Sequence, residues 1–414
     1  MGEKSSLLIL SALLLTIFSI LSFYSDFVGN MFIYIMKYFT FALFMLSTFL
    51  SVRHRLKGTK YNHLIFMFLL FFGSFLNLMN SNGKGLISST LYIVVALGIA
   101  FSTIFFFRKL SEEEYLKILW VFFGVIFIFV ICTSLFQSFT SAGYYVQAGR
   151  LRFNGLFHNS NELARFALLG IFISLRILNI YKNKFIKFIL LVMIVSSFYV
   201  IHISDSRAAL LIGLSAVLLY MLSSLYLKMN KLFFTCIILL CISLLVAFGV
   251  PFAVDYLNNA NLDSLNELSS GRIDNWVRVL DTSNLLALLF GSGAVREGLA
   301  ATAIITNGYI ELIQYFGLLG LFVWLIFIFI MFLKKIRSSL KEPSLSTLQG
   351  IGIIFLFLIY YLLEGGMVSI GNIVSIYFWV ELAQRHPFKY ISEKQNIKGN
   401  ESIESRDERL ENIT

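Results

Sequence analysis

The sequence predicts an all-α polytopic integral membrane protein of about twelve transmembrane helices, and three observations carry that expectation. The 414-residue chain is 58% hydrophobic and only 14% charged, with a mean hydropathy of +0.82. A soluble domain needs about a quarter of its residues charged to solvate its surface. Apolar stretches of about twenty residues recur along the chain, the length that a hydrocarbon core of about 30 Å demands of a helix. Finally, 44 Phe against 3 Pro favours long uninterrupted helices over strands.

Taken in order, the spans fall near 6–24, 31–50, 63–80, 86–107, 116–138, 163–180, 185–203, 207–227, 231–251, 308–333, 348–363 and 366–383. The first follows Lys4 and lacks a small-x-small cleavage site, so it reads as a membrane helix and not as a cleaved signal. The last two are separated only by Glu364-Gly365-Gly366, which also permits one broken hairpin. Loop charges set the orientation. Arg53, Arg55, Lys57 and Lys60 follow the second span, Arg108 and Lys109 the fourth, and Lys182, Lys184 and Lys187 the sixth. Lys228 and Lys231 follow the eighth, and Lys334, Lys335, Arg337 and Lys341 the tenth. Each even-numbered span therefore ends in a basic loop, which puts those loops and both termini in the cytoplasm.

On this reading residues 1–388 form one membrane domain, and 389–414 a polar cytoplasmic tail without apolar periodicity. The net charge of +10 lies mostly in the short loops. It is a topology signal, and no nucleic-acid partner is expected. Cys132, Cys236 and Cys241 sit inside apolar runs without metal-ligand spacing, so neither a metal nor a cofactor is expected.

Two loops on the expected outer face are long, 139–162 and 252–307. They carry Arg150, Arg152, Arg272, Arg278 and Arg296, and Arg165 and Arg207 open spans at the same boundary. A lysine would serve equally well as a topology charge. Arginine is favoured where a planar fork holds phosphate or carboxylate oxygens through paired hydrogen bonds. The cluster therefore points to an anionic ligand at the membrane surface, and a lipid diphosphate fits that place. Snorkelling, or pairing with Asp255, Asp263, Glu267, Asp274 and Asp281, is the alternative for any single arginine.

Several local sequences resemble motifs of the O-antigen polymerase and ligase family of bacterial membrane proteins. The run from Gly149 through Arg152-Phe153-Asn154-Gly155-Leu156-Phe157 to Asn161-Glu162 is similar to its R-x-x-G-x-F-x-x-P-N stretch, with Ser160 in place of Pro. Ser204-Asp205-Ser206-Arg207-Ala208-Ala209 resembles S-x-S-R-x-A, and Gly271-Arg272-Ile273-Asp274-Asn275-Trp276 resembles G-R-x-x-x-W. Phe290-Gly291-Ser292-Gly293, then Thr306-Asn307-Gly308-Tyr309-Ile310-Glu311 with Gly317 and Gly320, resemble the family's closing motifs. The match covers about 140–330. Family ligases usually have His where this chain has Thr306, which favours the polymerase branch.

The resemblance implies a glycosyltransferase in the bacterial cytoplasmic membrane, joining undecaprenyl-diphosphate-linked oligosaccharides of an O-antigen or capsule on the outer face. Membrane lipid and a chain-length regulator are the partners it suggests. It implies that Arg150, Arg152, Arg207 and Arg272, with Asn161 and Asn307, bind the diphosphates and sugars. Proton acceptors for the acceptor hydroxyl come from His158, Glu162, His202, Asp205, Asp274 and Glu311, with Glu311, His202 and Asp205 foremost. A ligase that moves the glycan to a lipid, wall or protein acceptor is the alternative within the class. A flippase of lipid-linked sugars is the alternative outside it. That second reading calls for charges at mid-membrane, where the spans read as nearly charge-free. The Gly291-x-Gly293 pair follows no strand and is not expected to hold a nucleotide.

Overall fold

The computed structural model describes residues 3–27, 30–53, 107–140, 142–147, 150–229, 276–277, 285–291, 307–341, 343–365 and 372–384. The expected spans near 63–80, 86–107 and 231–251 lie outside the described residues (Phe107 apart), as do Arg272, Thr306 and the tail 389–414. What is described is a helical bundle with one small hairpin. The helices are α1 (Glu3–Leu21), α2 (Met31–Val52), α3 (Glu112–Ile126), α4 (Thr133–Phe139), α5 (Ser160–Leu178), α6 (Lys184–Ile203) and α7 (Arg207–Lys228). They continue as α8 (Leu285–Phe290), α9 (Gly308–Lys341), α10 (Leu345–Leu363) and α11 (Ile373–Ala383). A π-helical turn, Phe127–Cys132, joins α3 to α4.

Among the described residues, six stretches are long and apolar enough to cross a membrane: α2, the α3–α4 run, α6, α7, α9 and α10. The protein is thus an all-α membrane protein apart from the hairpin. Near each end of the bundle a polar side chain closes the helix start. Asn30, Asn159, Asn183, Asn307 and Asn372 accept from first-turn amides, and Ser111 and Ser344 form capping boxes. Orphan N–H groups are costly where water is scarce, so the caps fix where each helix begins.

Helix α5 runs through the middle. Its residues from Leu163 to Ile177 are buried, including Arg165 and Arg176, and α3, α6, α7, α10 and α11 pack around it. Its charges explain its place, because a charged helix in lipid is tolerated only where neighbours supply partners. α11 is buried along its whole length and packs Trp379 against Trp324 of α9 with ring centroids 5.0 Å apart. Outward-facing Phe185, Phe188, Leu191 and Val195 of α6, and Leu211, Leu214 and Leu218 of α7, form an exposed apolar belt.

A group of buried charges lies at one end of the bundle, near the ends of its helices. Arg176 Nε meets Glu381 Oε1 at 2.9 Å, and Lys335 Nζ lies 3.7 Å from Glu381 Oε2, all essentially without exposure. Arg176 Nη1 also donates to the Ser346 carbonyl at 2.5 Å, and Lys335 to the Gln384 carbonyl at 3.0 Å. The Tyr115 hydroxyl donates to Glu381 as well. Five helices are tied at one point. Lys335 therefore differs from its reading as a loop charge: α9 continues to Lys341, and Lys335 faces inward through the space left by Gly350.

Candidate functional site

The opposite end of the bundle carries the hairpin. Strand β1 (Tyr144–Gln147) pairs antiparallel with β2 (Arg150–Phe153), in a register that sets Tyr145 opposite Arg152. Phe153 at the hairpin base is buried, and Tyr144 packs on it at 5.0 Å. The following loop is sewn to the end of α1. Ser25 N donates to the Leu156 carbonyl and His158 N to the Phe23 carbonyl, both at 2.8 Å, while the Tyr24 and Phe157 rings meet edge to face. The loop is thus anchored before α5 starts.

This anchoring places Arg152. Its Nη2 donates to Asn161 Oδ1 at 2.9 Å and to the Asp205 carbonyl at 3.4 Å, and its Nε to the Ser204 carbonyl at 3.4 Å. One guanidinium so joins the hairpin, the start of α5 and the turn before α7. Asp205 holds that turn in the left-handed region, φ 52°, which Asp tolerates better than most residues. Arg207 is exposed at the first position of α7. Ser206 gives α7 no side-chain cap, unlike the capped helices named above. The positive end of a 22-residue helix therefore lies beside Arg207 without a hydrogen bond from the Ser206 side chain.

Beneath Arg152 lies a second group of charges. Arg165 Nη1 is 3.1 Å from Glu162 Oε2, and its Nη2 is 3.5 Å from Glu364 Oε2 at the end of α10. Lys37 of α2 is only 4% exposed and within electrostatic reach of Glu162. Its ammonium lies 5.3, 5.6 and 5.9 Å from the Phe23, Tyr34 and Tyr38 ring centroids. Such faces attract a cation electrostatically and offset part of the cost of its burial. Two cations and two carboxylates thus balance across two helices and the α10 terminus. The Arg165 Nε and the Tyr360 hydroxyl, buried beside them, have no hydrogen-bond partner among the described residues.

Of the residues expected to bind or react, Arg152, Asn161, Asp205 and Arg207 come together here. Arg150 opens β2 opposite Gln147. His202 is exposed near the end of α6, on the helix that leads into the Asp205 turn. Asn307 stands at the start of α9. Its Oδ1 caps α9 through Tyr309 N at 2.8 Å and Ile310 N at 3.2 Å, and its Nδ2 donates to the Leu362 carbonyl at 2.8 Å. Glu311 is half-buried in the first turn of α9, within electrostatic reach of Tyr361. Sequence reasoning missed Lys37 and Glu364. The one signal for Lys37 was a lysine inside an apolar run on the side where basic residues are few.

The glycine motif also finds a physical reading. Gly317 breaks α9 with φ 72° and ψ −179°, and a Cβ there would stand 2.2 Å from the Leu289 carbonyl oxygen. A Cβ on Gly291, φ 86°, would stand 2.6 Å from Phe316 N. The two glycines let α8 and α9 touch backbone to backbone. Gly291 therefore makes a packing joint, and Gly293 lies outside the described residues.

No protein-family model matches the chain, and no curated protein matches it. Among solved structures, a chain from a report titled "Structural coordination of polymerization and crosslinking by a peptidoglycan synthase complex" is similar over 79% of this chain and 97% of its own. The TM-score is 0.38 and the identity 12%, a likeness too distant to carry an argument.

Proposed function

We propose that the protein is a polymerase of lipid-linked oligosaccharide repeat units, acting at the outer face of the bacterial cytoplasmic membrane. The observation that carries this reading is the junction at Arg152, where two motif regions distant in sequence meet beside Arg207 and the start of α7. A diphosphate presented from the bilayer would meet preorganised donors there. Arg152 is fixed by an amide and two carbonyls, so little reorganisation is needed as charge grows on the leaving group. The motif resemblance supports the same substrate class.

In this reaction the growing glycan leaves undecaprenyl diphosphate and joins a hydroxyl of the next repeat unit. Arg152 and Arg207, with Arg150 and Arg272, hold the two diphosphates, and Asn161 orients Arg152. Asn307 acts at one remove by fixing the start of α9. The product is an O-antigen or capsule, and a chain-length regulator is the expected partner.

The test is a gel of surface polysaccharide from cells lacking the protein. Collapse of a ladder to a single repeat unit on its usual acceptor is the expected result. Long polymer retained on undecaprenyl diphosphate would instead assign a ligase, and an unchanged ladder would end the proposal.

A further inference from the structure

The reading above leaves open which group takes the proton from the acceptor hydroxyl. Resting on that reading, we infer that Glu162 is this base, and that Lys37, Arg165 and Glu364 position it. Glu162 follows Asn161, the residue that holds Arg152 at 2.9 Å, so its carboxylate stands in the turn next to the proposed diphosphate site. Its side chain keeps 19% exposure, whereas Arg165 and Glu364 behind it keep 7% and 4%. Only the front member of the group is open to an arriving sugar.

The arrangement suits a base in two ways. The Arg165 guanidinium holds Oε2 at 3.1 Å and fixes the rotamer of a side chain that would otherwise sample several. The group is also balanced, Lys37 and Arg165 against Glu162 and Glu364. When Glu162 accepts the proton, that balance moves to one net positive charge. This happens as the anomeric C–O bond to phosphate breaks and its electron pair leaves with the diphosphate. Proton uptake and leaving-group stabilisation therefore reinforce each other in a water-poor site. The acceptor oxygen forms the new bond to the anomeric carbon, and Glu162 later returns its proton to water at the mouth.

Of the other candidates, Asp274 lies outside the described residues, and three more are less suitably placed. His202 is exposed at the end of α6. The Asp205 carbonyl is held by Arg152, in a turn that leads away into α7. Glu311 lies a turn inside α9, beyond the Asn307 cap.

The experiment uses the full-length protein in phosphatidylglycerol–phosphatidylethanolamine vesicles, with lipid-linked repeat units extracted from cells lacking it. Undecaprenyl diphosphate alone is the binding probe. Glu162→Gln is expected to bind the probe within about threefold of wild type and to polymerise about 10²–10⁴-fold more slowly. Glu162→Asp keeps the charge but withdraws the carboxylate, and it is expected to fold and to lose at least about tenfold in rate. Lys37→Met is expected to lower kcat with KM unchanged, and Lys37→Arg to restore it. Wild-type rates in both Glu162 variants would overturn the inference. So would loss of probe binding in step with rate at an unchanged melting temperature. A wild-type protein that makes no polymer at all would instead overturn the polymerase reading.

Discussion

The two buried charge groups of this bundle are built from the same residue types and differ in what surrounds them. At the end away from the hairpin, Arg176, Glu381 and Lys335 are sealed, held at 2.9 and 3.7 Å and backed by carbonyls of α10 and α11. At the hairpin end, Arg165 is held by Glu162 and Glu364 at 3.1 and 3.5 Å, and the Glu162 side chain keeps 19% exposure. A sealed group fastens helices. A group with one member reachable from the surface is kept for what it can contact. The contrast separates a structural lock from a candidate site without reference to any relative.

The lock should give the largest stability effect. Glu381→Gln leaves two buried cations without their carboxylate, and a loss of about 3–5 kcal/mol is expected, read as a fall in detergent melting temperature and membrane yield. Replacing all three charges together, Arg176→Met, Glu381→Leu and Lys335→Met, should recover most of that loss, since a buried ion group is often no better than apolar packing. Glu364→Gln tests the other end. Glu162 would still compensate Arg165, so a smaller cost of about 1.5–2.5 kcal/mol is expected by the same melting measurement. If the two glutamates cost the same, the distinction between lock and site fails.

Two smaller effects belong to the frame that holds both groups. Gly317→Ala places a Cβ against the Leu289 backbone at a φ of 72° and should cost about 1–3 kcal/mol or more, again read by melting. Ser111→Ala removes the capping box of α3 and should cost about 1 kcal/mol.

Much of this architecture was legible because the bilayer imposes it. The length and apolarity of each run are local features, and α2, α6, α7 and α10 begin within a few residues of expectation. Arginine in place of lysine on one face marked Arg152 and Arg207. The pairing of Arg165 with Glu364 was not legible, because about two hundred residues separate them and neither sits in a periodic pattern. Lys335 misled for a related reason. A basic run at a helix end reads as loop, and only packing against Gly350 and Glu381 shows that one of its lysines turns inward. Of the expected 366–383 span, residues 366–371 lie outside the described residues, and α11 covers Ile373–Ala383.

The central claim, that Arg152 organises a diphosphate site and not merely a loop, is tested most directly by the polymerisation rate per folded molecule of Arg152→Ala. Lost hydrogen bonds on a half-buried side chain should cost under about 1.5 kcal/mol, so folded protein survives to be assayed. The account predicts a rate about 10²–10³-fold below wild type in that folded protein. A wild-type rate would contradict it.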